Sequence, residues 1–478
     1  SSLVLRIILD PCTIPLLRSN PATNPPYMSV TGNNQSTQWR IRVHLPLIII
    51  RLTLPDNVMA FRDHLVNAFN PDKSISCIHG LFDLSVSRNH DLIVADCAET
   101  PGHQFAVNVL SRARLCSALN LTPGELIDVL GWAMNNRIDT EAVDTAPVLE
   151  NTQEIVDLKA LPIPHHYRED RGRYMSASIV IAEYEGQRNV SFHRQFLRDD
   201  NHVVARLVPR HLRTMLDKAR KNGDTIPIAI VNGCDPVVLL AAAMSFDEHI
   251  DELSVASALH NKFYGKPLQV VSLDNGIPVP ANAEYAMTAE ITANDDLEAP
   301  YVDITGTLDD ERMEPVFRIH SVHHRNNPIF HALIPAEAEH KALMGLPRAP
   351  TIKSAVSKVA TCHDVHMTEG GCGWLSAVVS ITPNDAADGR NSIQAALDGH
   401  KSMKMVTIVD QDIDVSDPVR VEWAMMTRWQ PDTDTIILSG QKGSSLDPSR
   451  NDDGTTAKIG YDATLSPEID KGPYTSVQ

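Results

Sequence analysis

The hydrophobic period changes twice along this chain, and that constrains its fold more than any other feature. Residues 176–185 alternate apolar and polar and are rich in β-formers, Gly186 and Gln187 signal a turn, and residues 189–197 alternate again. That pattern predicts a β-hairpin. Further strands are predicted over 203–208, 226–231, 268–273, 283–291, 301–305 and 315–321. Pro209 opens a helix that carries Leu212, Met215 and Leu216 on one face and stops at Gly223; residues 237–244 open another. Many antiparallel strands with few helices predict a barrel or a tightly wrapped sheet.

On either side, helix and strand alternate. Phe61, Leu65, Ala68 and Phe69 recur at helical spacing, so residues 59–69 read as an amphipathic helix. Residues 92–96 read as a buried strand, and 104–118 and 122–134 as helices. Thr122 is the expected N-cap of the latter, with Pro123 at the first helical position and Glu125 closing a capping box. A connection rich in Asp, Glu, Thr and Pro follows over 135–164. In the last third, strands over 359–361, 375–381, 405–409 and 436–438 alternate with helices over 392–399 and 418–427, which predicts a mostly parallel sheet. Residues 1–58 are proline-rich and aperiodic; they read as an irregular extension, with Met59 as the natural start and a strand-bearing arm over 39–54 as the alternative. The expected division is 1–58, 59–150, 151–330 and 331–478, in an α/β (α+β) chain.

Composition narrows the function classes. Of the 478 residues 43% are apolar, enough for substantial cores, and the net charge of −18 repels nucleic-acid phosphates and anionic membranes. An anionic substrate would need a local positive pocket. The seven cysteines are odd in number and sparse, which argues against a disulfide framework and for a reducing cytoplasm. No apolar run has membrane length, since Pro46 and Arg51 break the segment 45–54, and Asp10 and Pro11 interrupt any signal-like stretch.

No GxGxxG, P-loop or GxSxG is present, and Gly370-Gly371-Cys372-Gly373 lacks the Lys-Ser/Thr of a phosphate loop. In Arg188-Asn189-Val190-Ser191-Phe192-His193-Arg194, a strand places Asn189, Ser191 and His193 on one face and Arg194 on the other. An Asn carbonyl is a hard ligand for Mg²⁺ or Mn²⁺, and His211 opens a helix where an anion is favoured. The same residues also describe an ordinary polar hairpin. Asp247-Glu248-His249-Ile250-Asp251-Glu252 reads as a solvated acidic face, or Glu252 turns inward as a metal carboxylate. Pro300 prevents a helix between Glu298 and Asp303, so they lie on an extended, turned segment. Two carboxylates beside a third charge can differ in pKa, one holding a proton while the other stays ionised; alternatively they are loop acids facing water. Cys362, His363, His366 and Cys372 raise zinc, but without a CxxC they read better as packed thiols. Lys458, among small residues, is either a point charge for a phosphate or a surface lysine.

The order of these motifs is more specific than any one of them. Asn-x-Ser-x-x-Arg, Pro-Arg-His, Asp-Glu before an apolar helix, Glu-x4-Asp and Ala-Lys-Ile-Gly-x-Asp-Ala-Thr together resemble the UbiD family of prenylated-FMN decarboxylases. The resemblance spans roughly 59–470 and includes the stretches 328–335, 339–348, 409–414 and 443–448. It implies a UbiD-like fold with a split β-barrel flavin-binding domain over 151–330 and an α/β oligomerisation domain over 331–478. It implies that Asn189, His211 and Glu252 hold Mn²⁺ or Mg²⁺ against the cofactor phosphate, with K⁺ as a further candidate ion. Ser191, Phe192, His193, Arg194, Arg206, Leu207, Val208, His211, Leu212 and Lys458 match cofactor-contacting positions. Arg194, Glu298 and Asp303 match the catalytic network, with Asp303 as proton donor.

Many aromatic-acid members read Glu-Gly-Pro-Phe-Gly-Glu/Asp at the catalytic turn, whereas here it is Glu298-Ala299-Pro300-Tyr301-Val302-Asp303. This form is similar to the archaeal branch associated with decarboxylation of trans-anhydromevalonate 5-phosphate to isopentenyl phosphate; an aromatic or other α,β-unsaturated acid of the 4-hydroxybenzoate type is the alternative substrate. Ala299 departs from that branch's usual Gly. Candidate cations for a substrate phosphate are Arg188, Arg198, Arg210, Arg325 and Lys353. The resemblance further implies a flavin prenyltransferase as cofactor supplier and a cytoplasmic homo-oligomer, dimeric or hexameric. The competing classes are a non-catalytic flavin- or metal-binding protein on the same fold and a zinc hydrolase built on Cys362 and Cys372.

Overall fold

The computed structural model describes residues 60–475 apart from 66, 79, 89 and 247–249. The expectations for residues 1–58, for Met59 and for Asp247, Glu248 and His249 lie outside the described residues.

Alternation in the middle third becomes a nine-stranded, wholly antiparallel sheet. Its path runs Tyr174–Met175, Gln195–Leu197, His202–Ala205, Arg312–His324, Tyr285–Glu298, Ile226–Asn232, Ile179–Tyr184 and Gln187–Phe192, with Asn151–Gln153 added beside Arg312–His324. Both faces are buried. On the strand Ile226–Asn232, Ile226, Ile228 and Ile230 enter one core, while Ala229 and Val231 enter the other. The second core takes in the helices Pro236–Ala243 and Glu252–Tyr264, the first the helix His211–Asn222. The predicted hairpin forms, but its turn is one residue earlier than expected: Glu185 (φ 51°) and Gly186 (φ 75°) are both left-handed, matching the strands' twist.

One strand outruns its sequence signal and another falls short of it. Tyr285–Glu298 continues past the expected end at 291, through a register shift between Ile291 and Asp295. Its extension is polar and partly exposed on both faces, so no alternation marks it. That extension carries Glu298 to its site. The strand expected over 301–305 is only Tyr301–Val302, because the chain turns at Asp303 to pair Leu308–Asp309.

The N-terminal region departs most from expectation. Among the described residues of 59–69 the helix is only a 3-10 turn, Phe61–Leu65, and Asn67 beyond it is left-handed (φ 67°). The helix expected over 104–118 is instead a strand, Gln104–Val107, followed by a helix, Arg112–Leu119. Phe105, Ala106 and Val107 are fully buried between Ile93–Asp96 and Ile329–His331, and a short run buried on all sides carries no period. Ser111 caps the helix by accepting from Arg114 N. The helix Pro123–Asn135 is as predicted, with both capping-box bonds of Thr122 and Glu125 made.

The C-terminal sheet is mixed rather than mostly parallel. Its order is Thr361–Met367, Ser376–Thr382, Met405–Asp410, Thr455–Ala463 and Thr435–Lys442; the inner two pairings are parallel and the outer two antiparallel. The strand Thr455–Ala463 escaped the sequence reading because its core position is a glycine. A Cβ on Gly460 would meet Ile393 Cγ2 at 2.1 Å, so only glycine lets the helix Asp388–Gly399 pack this close. Among the described residues no helix is long and apolar enough to cross a membrane.

Candidate active site

Arg194 follows the strand Gln187–Phe192 and is the hub of a buried charge network, with its side chain 8% exposed. Its Nε and Nη2 donate to Glu298 Oε1 and Oε2 at 2.9 and 2.8 Å, the bidentate geometry that suits a carboxylate. Nη1 donates to Asp303 Oδ2 at 2.5 Å and Nη2 to Asp309 Oδ2 at 2.8 Å. Glu298 is fully buried, while the Asp303 side chain keeps 19% of its surface. Burial works against the Arg194 charge, but the bonds to Glu298 and the fields of Asp303 and Asp309 raise its proton affinity above that of a free guanidinium.

Asp309 was not foreseen. It also accepts two bonds from Arg312, at 2.6 and 2.7 Å. Burial opposes its ionisation, but the bonds from Arg312 and the charge of Arg194 bring its pKa down to about 2. The signal exists only in the register: Tyr301 opposes Asp309, and Glu298 opposes Arg312.

The turn bearing the acids is pinned from behind. Arg171 N donates to Pro300 O at 2.8 Å, Ala299 N to Tyr174 Oη at 3.3 Å and Val302 N to Asp170 Oδ1 at 2.8 Å. Asp170 also accepts from Tyr167 N at 3.1 Å; burial pushes its pKa up to about 6 against those two bonds. Tyr301 lies beneath Arg194, whose Cζ is 4.6 Å from the ring centroid, and packs at a tilt of 51° on Tyr174, with centroids 4.5 Å apart. His340, half-buried, feels the charges of Asp303 and Arg194; burial lowers its pKa, against Asp303.

Asn189, Ser191 and His193 share one face, as their spacing predicts, and are hydrogen-bonded in series. Ser191 Oγ donates to Asn189 Oδ1 at 2.8 Å and lies 2.9 Å from His193 Nε2, while His193 Nδ1 is 3.0 Å from Arg206 O. Burial brings the His193 pKa down to about 4, so its imidazole is neutral. Glu252, first residue of its helix and 4% exposed, accepts from Val190 N at 2.8 Å and from Asn189 Nδ2 at 3.1 Å. Burial pushes its pKa up to about 7, and no Lys, Arg or His among the described residues forms an ion pair with it. A buried carboxylate without a counter-cation, beside a carboxamide, is a hard oxygen donor set that fits Mg²⁺ or Mn²⁺.

The other sequence candidates divide. His211 opens the helix His211–Asn222 and is not brought into hydrogen-bonding or ion-pair contact with Asn189 or Glu252. Leu207 and Leu212 are core residues, 2% exposed each, so only their backbone can serve a ligand; Phe192 packs on the core and Val208 is half-buried. Arg206 is neutralised by Glu314 at 2.6 Å, a partner the sequence did not suggest. Lys458 is 6% exposed on the strand Thr455–Ala463, its Nζ donating to Lys401 O at 2.5 Å; a buried ammonium with a carbonyl partner and no carboxylate suits a phosphate. Cys362 and Cys372 belong to no metal-capable group among the described residues. Cys77, Cys97 and Glu99 do form one, with donor atoms within 4.8 Å of one another.

Comparison with known proteins gives the family. Residues 140–338 match the UbiD family's 3-octaprenyl-4-hydroxybenzoate carboxy-lyase Rift-related domain, and 341–463 its C-terminal domain. An anhydromevalonate phosphate decarboxylase of Methanosarcina mazei is 41% identical over 366 residues, covering 76% of this chain and 85% of its own. One from Methanocaldococcus jannaschii is 39% identical over 378 residues, covering 76% and 87%. Among solved structures, the UbiD-class enzyme HmfF from Pelotomaculum thermopropionicum in complex with FMN superposes with a TM-score of 0.83 at 29% identity, covering 88% of this chain and 97% of its own. The chain belongs to the UbiD family of carboxy-lyases.

Proposed function

We propose that this chain is a non-oxidative, prenylated-FMN-dependent decarboxylase that converts trans-anhydromevalonate 5-phosphate to isopentenyl phosphate and CO₂. The observation that carries the reading is the grip of one buried arginine on Glu298 and Asp303, in a chain about 40% identical to archaeal enzymes named for that substrate. Aromatic acids are second: a phenolic acid decarboxylase of Bacillus subtilis is only 29% identical over 354 residues.

Charge counting assigns the roles. Arg194 and Arg312 face three carboxylates, Glu298, Asp303 and Asp309; Arg206 also reaches Asp309, at 3.9 Å, but is itself bonded to Glu314 at 2.6 Å. A substrate carboxylate adds a fourth. Arg194 accepts it by releasing one of its single bonds, because the bidentate pair with Glu298 is the costlier to break. Excess negative charge then favours a proton on Asp303, which one guanidinium bond holds, whereas Glu298 accepts two and Asp309 three. Glu298 stays ionised and holds Arg194 in place. Prenylated FMN, when bound, supplies the sink for the electron pair that CO₂ leaves behind. Asp303 Oδ delivers its proton to the carbon that carried the carboxylate, and the turn bonds at Asp303 N and Gly306 N fix its position.

Asn189, Glu252 and His211 would hold Mn²⁺ or Mg²⁺ against the cofactor's phosphate, with Lys458 as a further cation and Ser191, His193 and Arg206 along its length. A flavin prenyltransferase supplies the cofactor, and the protein works as a cytoplasmic homo-oligomer. The test is production with and without the prenyltransferase, followed by CO₂ release from trans-anhydromevalonate 5-phosphate and from a panel of aromatic acids. The expected result is turnover of the phosphorylated acid by the flavin-loaded protein alone. Turnover of aromatic acids only would replace the substrate, and equal turnover without flavin would overturn the reading.

A further inference from the structure

A phosphorylated acid must be met by cations that the rest of the protein has not already neutralised. In a chain with 60 acids against 42 bases, such cations are scarce. Four of the five candidates from sequence are paired. Arg188 bridges Asp251 and Glu183, Arg198 bridges Asp296, Arg325 faces Glu284 and Lys353 holds Asp128. Arg210 alone pairs with no carboxylate among the described residues; its Nη1 donates to Ser245 Oγ at 3.2 Å.

A second arginine, outside that set, comes to the same place. Arg348 is 6% exposed, and its Nη2 donates to Ala243 O at 2.9 Å, two residues from Ser245 at the end of the helix Pro236–Ala243. Among the described residues its buried Nε has no hydrogen-bond partner and no carboxylate pairs with it, and its guanidinium lies 5.1 Å from the centroid of Trp374. Burying an unpaired guanidinium is costly unless an anion completes the site. Burial and the like charge of Arg210 bring the Arg348 pKa down to about 9, a strain that a bound anion would relieve. Arg210 is also the N-cap of the helix His211–Asn222, which has no side-chain cap, so the first N–H groups of that helix lie next to Arg210 in the chain.

We propose that Arg210 and Arg348 form a subsite for a phosphate monoester, the phosphorylated end of the substrate. This rests on the decarboxylase reading above and adds to it the residues that recognise the phosphate. Arg348 lies eight residues after His340, which feels the charges of Asp303 and Arg194, so the subsite and the acid network flank one short segment. An extended acid with a carboxylate at one end and a phosphate at the other would meet both. Lys458, across Trp374 and His400 from Arg348, remains for the cofactor's phosphate.

The test uses flavin-loaded Arg210→Gln, Arg348→Gln and Arg348→Lys proteins. Expected is a loss on the order of a hundredfold in kcat/KM for trans-anhydromevalonate 5-phosphate in each Gln variant, mostly in KM. The dephosphorylated acid should lose less than about threefold, flavin content should match wild type, and Arg348→Lys should recover part of the loss. Loss of flavin would assign the pair to the cofactor's phosphate and overturn the proposal, as would equal losses on both substrates. Arg210 is exposed, so its variant reports even if Arg348→Gln fails to fold. Calorimetric titration of the holoenzyme with inorganic phosphate keeps the two readings apart. Binding weakened about tenfold by Arg210→Gln upholds the subsite even if no acid is decarboxylated, and absent binding by wild type overturns it.

Discussion

Two charged regions of this molecule follow opposite plans. Around Arg194 every charge has partners inside the protein: three carboxylates and two guanidinium groups are cross-linked by six hydrogen bonds of 2.5 to 2.9 Å. Around Arg348, Arg210 and Lys458 the cations have, among the described residues, carbonyl, hydroxyl or aromatic partners and no carboxylate. The saturated region is already set for its reaction, so orientation is fixed before substrate arrives. The unsaturated region is incomplete until anions enter, which gives affinity and discrimination rather than chemistry. Glu252 is the mirror image on a smaller scale, a buried carboxylate with no counter-cation among the described residues.

Breaking the saturated region should have the largest effect. Glu298→Gln removes the bidentate partner of Arg194, and kcat should fall on the order of a thousandfold while flavin absorbance per protein is retained. Emptying the Glu252 site should act on binding instead. Dialysis against a chelator should strip most flavin from the protein, and Mn²⁺ or Mg²⁺ with fresh cofactor should restore it, read by absorbance and metal analysis.

A smaller effect concerns the support of the acid turn. The Asp170 carboxyl has its pKa raised from 3.8 to about 6, so the folded state binds its proton more tightly than the unfolded chain does. Such a group makes stability fall as pH rises from about 4 to 6, by at most about 3 kcal/mol. Asp170→Asn cannot titrate, so its unfolding free energy should flatten relative to wild type over that window in urea titrations. Since one of its amide atoms can no longer accept from Val302 N or Tyr167 N, it should also be less stable at pH 4 by about 1 kcal/mol. An unchanged pH slope would mean that Asp170 is not the titrating support.

Much of this was readable in the sequence where local periodicity and tertiary environment agree. The strand Ile226–Asn232, the hairpin bearing Asn189 and Ser191, and the capped helix Pro123–Asn135 all show their period because each has a defined burial pattern. The strand Gln104–Val107 was missed because it is buried on all sides, and the end of Tyr285–Glu298 because it is polar on both. Arg194, Glu298 and Asp303 could be singled out through family resemblance. Asp309 and Arg312 could not, since their place depends on strand pairing across a turn. Arg348 was hidden for another reason. Its identity was plain, but its lack of a counter-ion is a property of the folded chain. Ala299 sits at φ 73°, where glycine is favoured, so the departure noted in the sequence falls on a backbone position that asks for that glycine.

The account stands most directly on Asp303 as the source of the proton. Flavin-loaded wild type and Asp303→Asn should be given trans-anhydromevalonate 5-phosphate in D₂O, and the isopentenyl phosphate analysed for deuterium at the carbon that lost CO₂. Wild type should yield product carrying one deuterium there, and Asp303→Asn should yield less than about a hundredth as much in the same time. Deuterated product from Asp303→Asn at the wild-type rate, with flavin bound, would contradict it.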